Sequence, residues 1–175
     1  MRTQFRRAAG APHLRRAGGA LIAAIALTLG LPGAAGAQDA NFGKSAWLTS
    51  ANCADCHGWM GDGVQEDPRA PRGANLRETN LTAEQLSEVI LCGRPGTEMP
   101  AFDARAYTDA RCYGMTRAQI GNQAPPIAQT PLTKRHADGL ALFILQELKA
   151  KGAPNFQNCT ELLGGTADKC GIFRR

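Results

Sequence analysis

The sequence predicts an all-α domain, and two observations support this fold class. Three segments carry apolar residues at helical spacing: about 41–53, Thr82 to Gly93, and about Thr133 to Gly152. No segment of strand length alternates apolar and polar residues. We therefore expect three or more helices joined by long loops.

Each predicted helix has an inward face. In the first helix this face consists of Phe42, Ala46 and Trp47. The second helix begins at Thr82, whose hydroxyl can cap the helix. The side chain of Gln85, at the third helical position, can accept from the Thr82 backbone nitrogen in return. The inward residues predicted for the second and third helices are Leu86, Val89, Ile90, Ala137, Leu140, Ala141, Ile144 and Leu148.

Residues 1–37 have the pattern of a signal peptide. A start with five arginines is followed by the apolar run GGALIAAIALTLGL and by the small residues Ala35, Gly36 and Ala37 at a cleavage site. The apolar core covers about a dozen residues, fewer than the roughly 20 that cross a bilayer. We expect a mature chain that begins at Gln38, lies in the periplasm and has no membrane span.

Removing the signal peptide changes the charge of the chain. The net charge of +5 comes from 20 Lys and Arg against 15 Asp and Glu, and the segment removed carries five arginines and no acid. The mature chain is therefore formally neutral, which removes the main support for nucleic-acid binding. Arg69, Arg72 and Arg77 form a modest basic patch, which we interpret as a solvated loop.

The segment NCADCHGWMG contains Cys53, Cys56 and His57 in a CxxCH pattern. A redox dithiol would need a preceding buried strand, whereas GKSAWLTSAN favours a helix. A zinc site would need further ligands, and the only other histidine of the mature chain is His136. CxxCH is also the attachment signal of haem c: both thiols add to the porphyrin and the histidine becomes an axial ligand of the iron. Haem attachment is the favoured interpretation, and export agrees with it.

The second axial ligand is predicted to be Met99. It lies in GRPGTEMPAF, where glycine and proline indicate an irregular loop that can deliver a thioether to a metal. Met60 is too close to His57 to cross the ring, Met115 is interpreted as a packing or surface residue, and His136 as part of the first turn of the last helix.

Three pieces of sequence together resemble class I monohaem cytochromes c: CADCHG, LTAEQLSEVILCGRPGTEMPAF and the last helix, within residues 41–151. The resemblance implies an all-α cytochrome c fold wrapped around one haem c, covalently bound through Cys53 and Cys56, with iron between His57 and Met99. It also implies that the first and last helices cross, with a contact shifted in this chain to Trp47 or Leu48.

A further implication of the resemblance concerns the loop that follows His57. In the family a backbone carbonyl of this loop, often from a proline, accepts the second imidazole proton. Pro71 is the closest candidate here, and Ala74 stands where a proline of a GPNL-like motif is expected.

The remaining cysteines, Cys92, Cys112, Cys159 and Cys170, allow three disulfide pairings. Short sequence separations favour Cys92 with Cys112 and Cys159 with Cys170. The first disulfide would either restrain the Met99 loop or be a stabilising cross-link with no effect on methionine ligation. We divide the chain into a signal peptide at 1–37, a cytochrome c domain at 38–152 and a disulfide-closed extension at 153–175.

The function follows from the predicted coordination. An iron with both axial positions occupied exchanges electrons and does not bind substrate, so we predict an electron carrier and not an enzyme. The expected partners are a periplasmic dehydrogenase as donor and an oxidase or another cytochrome as acceptor, with the carrier a monomer. Two alternatives stay open: a haem subunit fixed in a larger respiratory or dehydrogenase complex, and a gas-binding or catalytic haem protein with an open distal site, for which His136 would have to lie near the iron.

Overall fold

The computed structural model describes residues 33–164 and 168–174 of the chain, which belong to one compact unit, Leu31–Arg175. The predicted signal peptide lies outside the described residues except for 33–37. The six α-helices of the described part are α1 Gly33–Thr49, α2 Cys53–His57, α3 Ala83–Cys92, α4 Arg117–Ile120, α5 Lys134–Phe143 and α6 Phe156–Leu163.

The described residues contain short helical turns and isolated bridges beside these helices. Single 3-10 turns cover Leu76–Glu78, Gly121–Gln123 and Gly171–Phe173, and a π-helical turn, Ile144–Leu148, continues α5. Within 33–164 and 168–174 there is no β-strand, only isolated bridges that join Ala101 to Ile127 and Cys112 to Met115. The predicted all-α class is confirmed. Among these residues no helix has the length and apolar character of a membrane span.

Two glycines allow α1 and α5 to cross in direct backbone contact. A Cβ added at Gly139 would lie 3.0 Å from the Asp39 carbonyl oxygen and 3.1 Å from the Gly43 nitrogen, and a Cβ at Gly43 would overlap the Gly139 carbonyl. Beside this crossing, the Trp47 ring packs against Phe143 with centroids 5.7 Å apart. The expected contact between the first and last helices is confirmed, with Trp47 as its aromatic residue.

The first helix is shifted relative to its predicted bounds of 41–53. It extends through residues 33–40 at its start and ends at Thr49. The chain then turns at Asn52, whose φ of 49° lies in the left-handed region, before α2 begins at Cys53. The prediction was wrong here because the short polar turn between the two helices interrupts the apolar pattern only briefly.

The second and third predicted helices agree with α3 and α5. The Thr82 Oγ1 accepts from the Gln85 nitrogen while the Gln85 side chain accepts from the Thr82 nitrogen, so the predicted capping box is present. A similar box between Thr133 and His136 starts α5. The predicted inward residues of these helices are buried, apart from the half-buried Val89. The helical turns end at Leu148, four residues before the predicted Gly152, because Ala150 adopts a φ of 58°.

Both favoured disulfides are present. Cys92 at the end of α3 is bonded to Cys112, and Cys159 in α6 is bonded to Cys170. The second disulfide closes the C-terminal extension, whose α6 was not predicted. Together with Met60 and Leu163, it forms a small buried cluster that packs against the main core.

Candidate functional site

The site starts from α2, one short helix that carries the CxxCH motif. Cys53 and Cys56 are the free cysteines of the described residues, and both are half-buried. Burial raises the pKa of the Cys53 thiol to about 12 and raises that of Cys56 as well. A redox dithiol depends on the opposite shift, a lowered thiol pKa. It also depends on a preceding strand, and here α1 precedes the motif.

The imidazole of His57 is fixed by the loop that follows it. Its Nδ1 donates to the Ala74 carbonyl oxygen at 2.8 Å, since a carbonyl can only accept. Burial lowers the pKa of His57, and the bond to Ala74 opposes this shift. In the described part of the chain Nε2 has no hydrogen-bond partner. The neutral ring therefore holds its proton on Nδ1, which leaves Nε2 as a metal-binding nitrogen.

The loop from Gly58 to Asn75 wraps closely around this histidine. Its backbone is tied to α2 by bonds from the Gly63 nitrogen to the His57 carbonyl (2.9 Å) and from the Gly73 nitrogen to the Cys56 carbonyl (2.8 Å). A Cβ at Gly73 would lie 2.5 Å from His57 Nδ1. Gly73 thus leaves the space that the imidazole needs. The Trp47 ring is also near, with its centroid 6.4 Å from that of the His57 ring.

The acceptor of the His57 proton differs from the expected residue. Pro71 was the closest candidate, and the structure assigns the contact to Ala74. The correction has a simple cause: the acceptor is a backbone carbonyl, which any residue supplies. The one sequence signal was position, since Ala74 occupies the place expected for the proline.

Met99 lies on a separate loop between α3 and Ala101. It is half-buried and belongs to none of the buried hydrophobic clusters of the described residues. Its carbonyl accepts from the Arg94 nitrogen at 3.2 Å, and its nitrogen donates to Thr97 Oγ1 at 3.2 Å. These bonds fix the backbone of the loop and leave the side chain outside the packed core.

The raised pKa of the Cys56 thiol has further electrostatic causes. After burial, the negative charges of Asp55 and Glu98 contribute to it. Cys53, Cys56 and His57 are brought together on one helix, whereas Met99 lies on a separate loop.

Residues 102–131, called the insert below, form backbone hydrogen bonds to the Met99 loop and its flanks. The Gly96 nitrogen donates to the Gln123 carbonyl at 2.8 Å, and the Ala101 nitrogen to the Pro126 carbonyl at 2.8 Å. These two contacts leave no sequence signal, because backbone atoms make them; the Cys112 disulfide is the link that the sequence predicts.

The other candidate ligands have different environments. The His136 imidazole bonds to Thr133, with Nδ1 2.7 Å from the hydroxyl, and its ring lies 5.0 Å from that of Phe42. Met115 packs half-buried against the cluster around the Cys92–Cys112 disulfide. Within the described residues no group of three or more His, Cys, Asp or Glu side chains is arranged to hold a metal ion.

The donor set fits a haem c. Two unpaired thiols on one helical turn provide the attachment atoms, and His57 provides an oriented nitrogen. Residues 39–117 match the family model described as cytochrome C oxidase, cbb3-type, subunit III. Over residues 39–117 the chain matches a c-type cytochrome domain. Neither a curated protein nor a solved structure matches the chain.

A cytochrome c domain implies a haem c with its iron and electron transfer with redox partners. The all-α architecture of the described residues fits the cytochrome c fold. One expectation about the surface of this cytochrome is corrected: Arg77 does not share an exposed patch with Arg69 and Arg72, because it is only 5% exposed.

Proposed function

We propose that the protein is a periplasmic electron carrier that holds one haem c through Cys53 and Cys56, with His57 and Met99 as axial ligands. The observation that carries the proposal is the hydrogen bond from His57 Nδ1 to Ala74, which presents the other ring nitrogen beside two unpaired thiols. When bound, the iron of the haem supplies a reversible change of valence by one electron.

The residues of the chain adjust this chemistry through orientation and ligand type. The Ala74 carbonyl orients the His57 imidazole. The hydrogen bond also makes Nε2 a stronger electron-pair donor to a metal ion. A thioether from Met99 favours the ferrous state, which raises the reduction potential relative to two imidazoles. Such a potential suits a carrier that accepts electrons from a periplasmic dehydrogenase and delivers them to an oxidase or to another cytochrome.

The proposal is tested by the absorption spectrum of the ferric protein. We expect the weak sulfur-to-iron charge-transfer band in the far red, and we expect its loss in Met99→Ala. Met115→Ala is the matched control, since Met115 packs against the cluster around the Cys92–Cys112 disulfide, to which Met99 does not belong, and should leave the band unchanged. A high-spin wild type without this band would show an open distal site and would overturn the carrier proposal.

A second candidate is a haem subunit that is fixed in a larger respiratory or dehydrogenase complex. The description of the matching family model, which names a subunit of an oxidase, favours it. Gel filtration after mild extraction distinguishes the two. A single small species supports a free carrier, whereas elution with other proteins supports the subunit.

The open-site alternative depended on His136 as a distal residue. Its Nδ1 is already engaged by Thr133 at the start of α5, and its ring packs near Phe42. These contacts favour Met99 over His136 as the group that faces the iron.

A further inference from the structure

Arg77 is a buried cation whose hydrogen bonds are incomplete. It is 5% exposed. Its Nε donates to the Gly152 carbonyl at 2.6 Å and its Nη1 to the Met60 carbonyl at 3.0 Å. Its Nη2 is buried and has no hydrogen-bond partner among the described residues. Leaving a charged donor buried and unpaired is costly, so this group favours an acceptor that the described chain does not supply.

No carboxylate of residues 33–164 or 168–174 forms an ion pair with Arg77. Burial lowers the pKa of its guanidinium, and the negative charge of Asp62 opposes this shift from a distance. Two backbone carbonyls thus position the guanidinium, while its charge lacks a directly bonded counterion.

Arg77 lines a cavity of about 390 Å³ between α1, the end of α5 and α6. Two further cations, Lys44 and Lys151, line the same cavity, and so do two carboxylates, Glu147 and Glu161. Three positive groups therefore meet two negative ones. Apolar side chains of the cavity wall lower the local dielectric constant, which strengthens the attraction between a cation and an anion.

A second cavity, of about 460 Å³, also borders Arg77 but has a different charge. Its other charged lining residues are Asp62 and Glu78, which would repel an anion. The cavity that contains Lys44 and Lys151 is therefore the one suited to a negative ligand. None of the four predicted haem-binding residues lines either cavity.

We propose that the cavity lined by Lys44, Arg77 and Lys151 binds a small oxyanion through one carboxylate or phosphate group. The guanidinium of Arg77 and the two ammonium groups supply the positive charge that attracts the ligand. The cavity is also lined by Asn158, Glu161 and Leu162 of α6. The site therefore lies where the C-terminal extension meets the cytochrome core, with the three cations on the core side.

The test is isothermal titration of the haem-loaded protein at low salt, with inorganic phosphate in one series and acetate in another. We expect saturable binding of at least one of them, with one ligand per chain. Tighter binding of phosphate identifies a phosphate site, and tighter binding of acetate a carboxylate site. Absence of saturable binding in both series would overturn the proposal.

Variants show whether the binding belongs to this cavity. We expect Lys44→Ala and Lys151→Ala each to weaken binding severalfold, and Arg77→Lys, which keeps the charge but loses the planar fork, to weaken it about tenfold. Lys134→Ala is the matched control, because this exposed lysine of α5 does not line the cavity. Arg77 also clamps two loops, so the two lysine variants decide the outcome if Arg77→Lys does not fold. Binding unchanged in Lys44→Ala and Lys151→Ala would contradict the proposal.

Discussion

The hydroxyl of Tyr113 donates to the carbonyl oxygen of Gly93 at 2.8 Å, and this bond holds the residue that supports the Met99 loop. Gly93 has a φ of 66°, and a Cβ there would lie 2.8 Å from the Met99 carbonyl oxygen. The Tyr107 hydroxyl makes a parallel bond to the Cys92 carbonyl at 2.9 Å. Two tyrosines of the insert therefore fix consecutive carbonyls at the end of α3.

Tyr113→Phe should loosen the Met99 loop without unfolding the protein. The change removes one hydrogen bond, worth about 1 kcal/mol, from a half-buried ring. We expect exogenous imidazole to displace the methionine ligand from the ferric protein about fivefold more readily, measured as loss of the far-red band. Thr108→Val is the control, since it removes a hydroxyl-to-carbonyl bond of the same insert away from Gly93. An equal effect of both variants would show that the tyrosine does not act on the loop.

The Cys92–Cys112 disulfide closes a sequence separation of 20 residues beside the same loop, whereas Cys159–Cys170 closes one of 11 in the extension. Loss of either disulfide should destabilise the protein by about 2–4 kcal/mol. We expect the Cys92→Ser and Cys112→Ser double variant also to weaken methionine ligation. The matching double variant at Cys159 and Cys170 should lower the free energy of unfolding and leave the far-red band intact. A far-red band of equal intensity in both variants would show that the first disulfide stabilises the fold without affecting methionine ligation.

Gly73→Ala should disturb the proximal side of the site. The new Cβ would lie 2.5 Å from His57 Nδ1, so either the imidazole or the loop must move, and the bond to Ala74 is lost. We expect a lower reduction potential or a smaller yield of covalently attached haem, measured by redox titration and by haem staining of the denatured protein. Gly171→Ala is the control, since a Cβ there meets no atom within 4 Å. Identical behaviour of the two variants would show that the space beside His57 is not needed.

The parts of the fold and site that could be predicted are those that short sequence patterns encode. The Thr82 cap and the inward faces of α3 and α5 depend on neighbouring residues, and CxxCH places its three groups on one turn wherever it occurs. The acceptor for the His57 proton could not be predicted in this way, because it is a backbone carbonyl, that of Ala74, and every residue has one. The burial of Arg77 was also missed, since its partners Met60 and Gly152 are distant in sequence and act through backbone oxygens.

Gly43→Ala at the helix crossing tests how closely α1 packs on α5. Glycine to alanine inside a helix normally stabilises by about 0.5–1 kcal/mol. Here the new Cβ would overlap the Gly139 carbonyl, and such overpacking costs about 1–3 kcal/mol. The Gly139 carbonyl is part of the α5 backbone and cannot move without moving the helix. We therefore expect Gly43→Ala to have a lower free energy of unfolding in chemical denaturation. Ser45→Ala, at an exposed position of the same helix, is the control and should change the free energy of unfolding little.

Asp138 joins α5 to α3 in a way that depends on pH. Its Oδ1 accepts from the buried Ser87 hydroxyl at 2.7 Å, and its carboxylate pairs with Lys134. Burial acts to raise the pKa of Asp138, but the bonds to Lys134 and Ser87 outweigh it, so the pKa is lowered. The carboxylate therefore contributes stability above the pKa of the unfolded chain, about 3.9, and this contribution is lost as pH falls through the lower pKa of the folded state.

Asp138→Asn should therefore be less stable than the wild type at neutral pH, and the difference in Tm should shrink as pH falls below about 4. Thermal unfolding of both proteins from pH 7 to pH 2.5 measures this difference. The double-mutant cycle with Ser87→Ala isolates the bond to Ser87, and its coupling energy should decrease over the same range. A difference in Tm that stays constant with pH would mean that the ionised carboxylate does not stabilise the contact between α3 and α5.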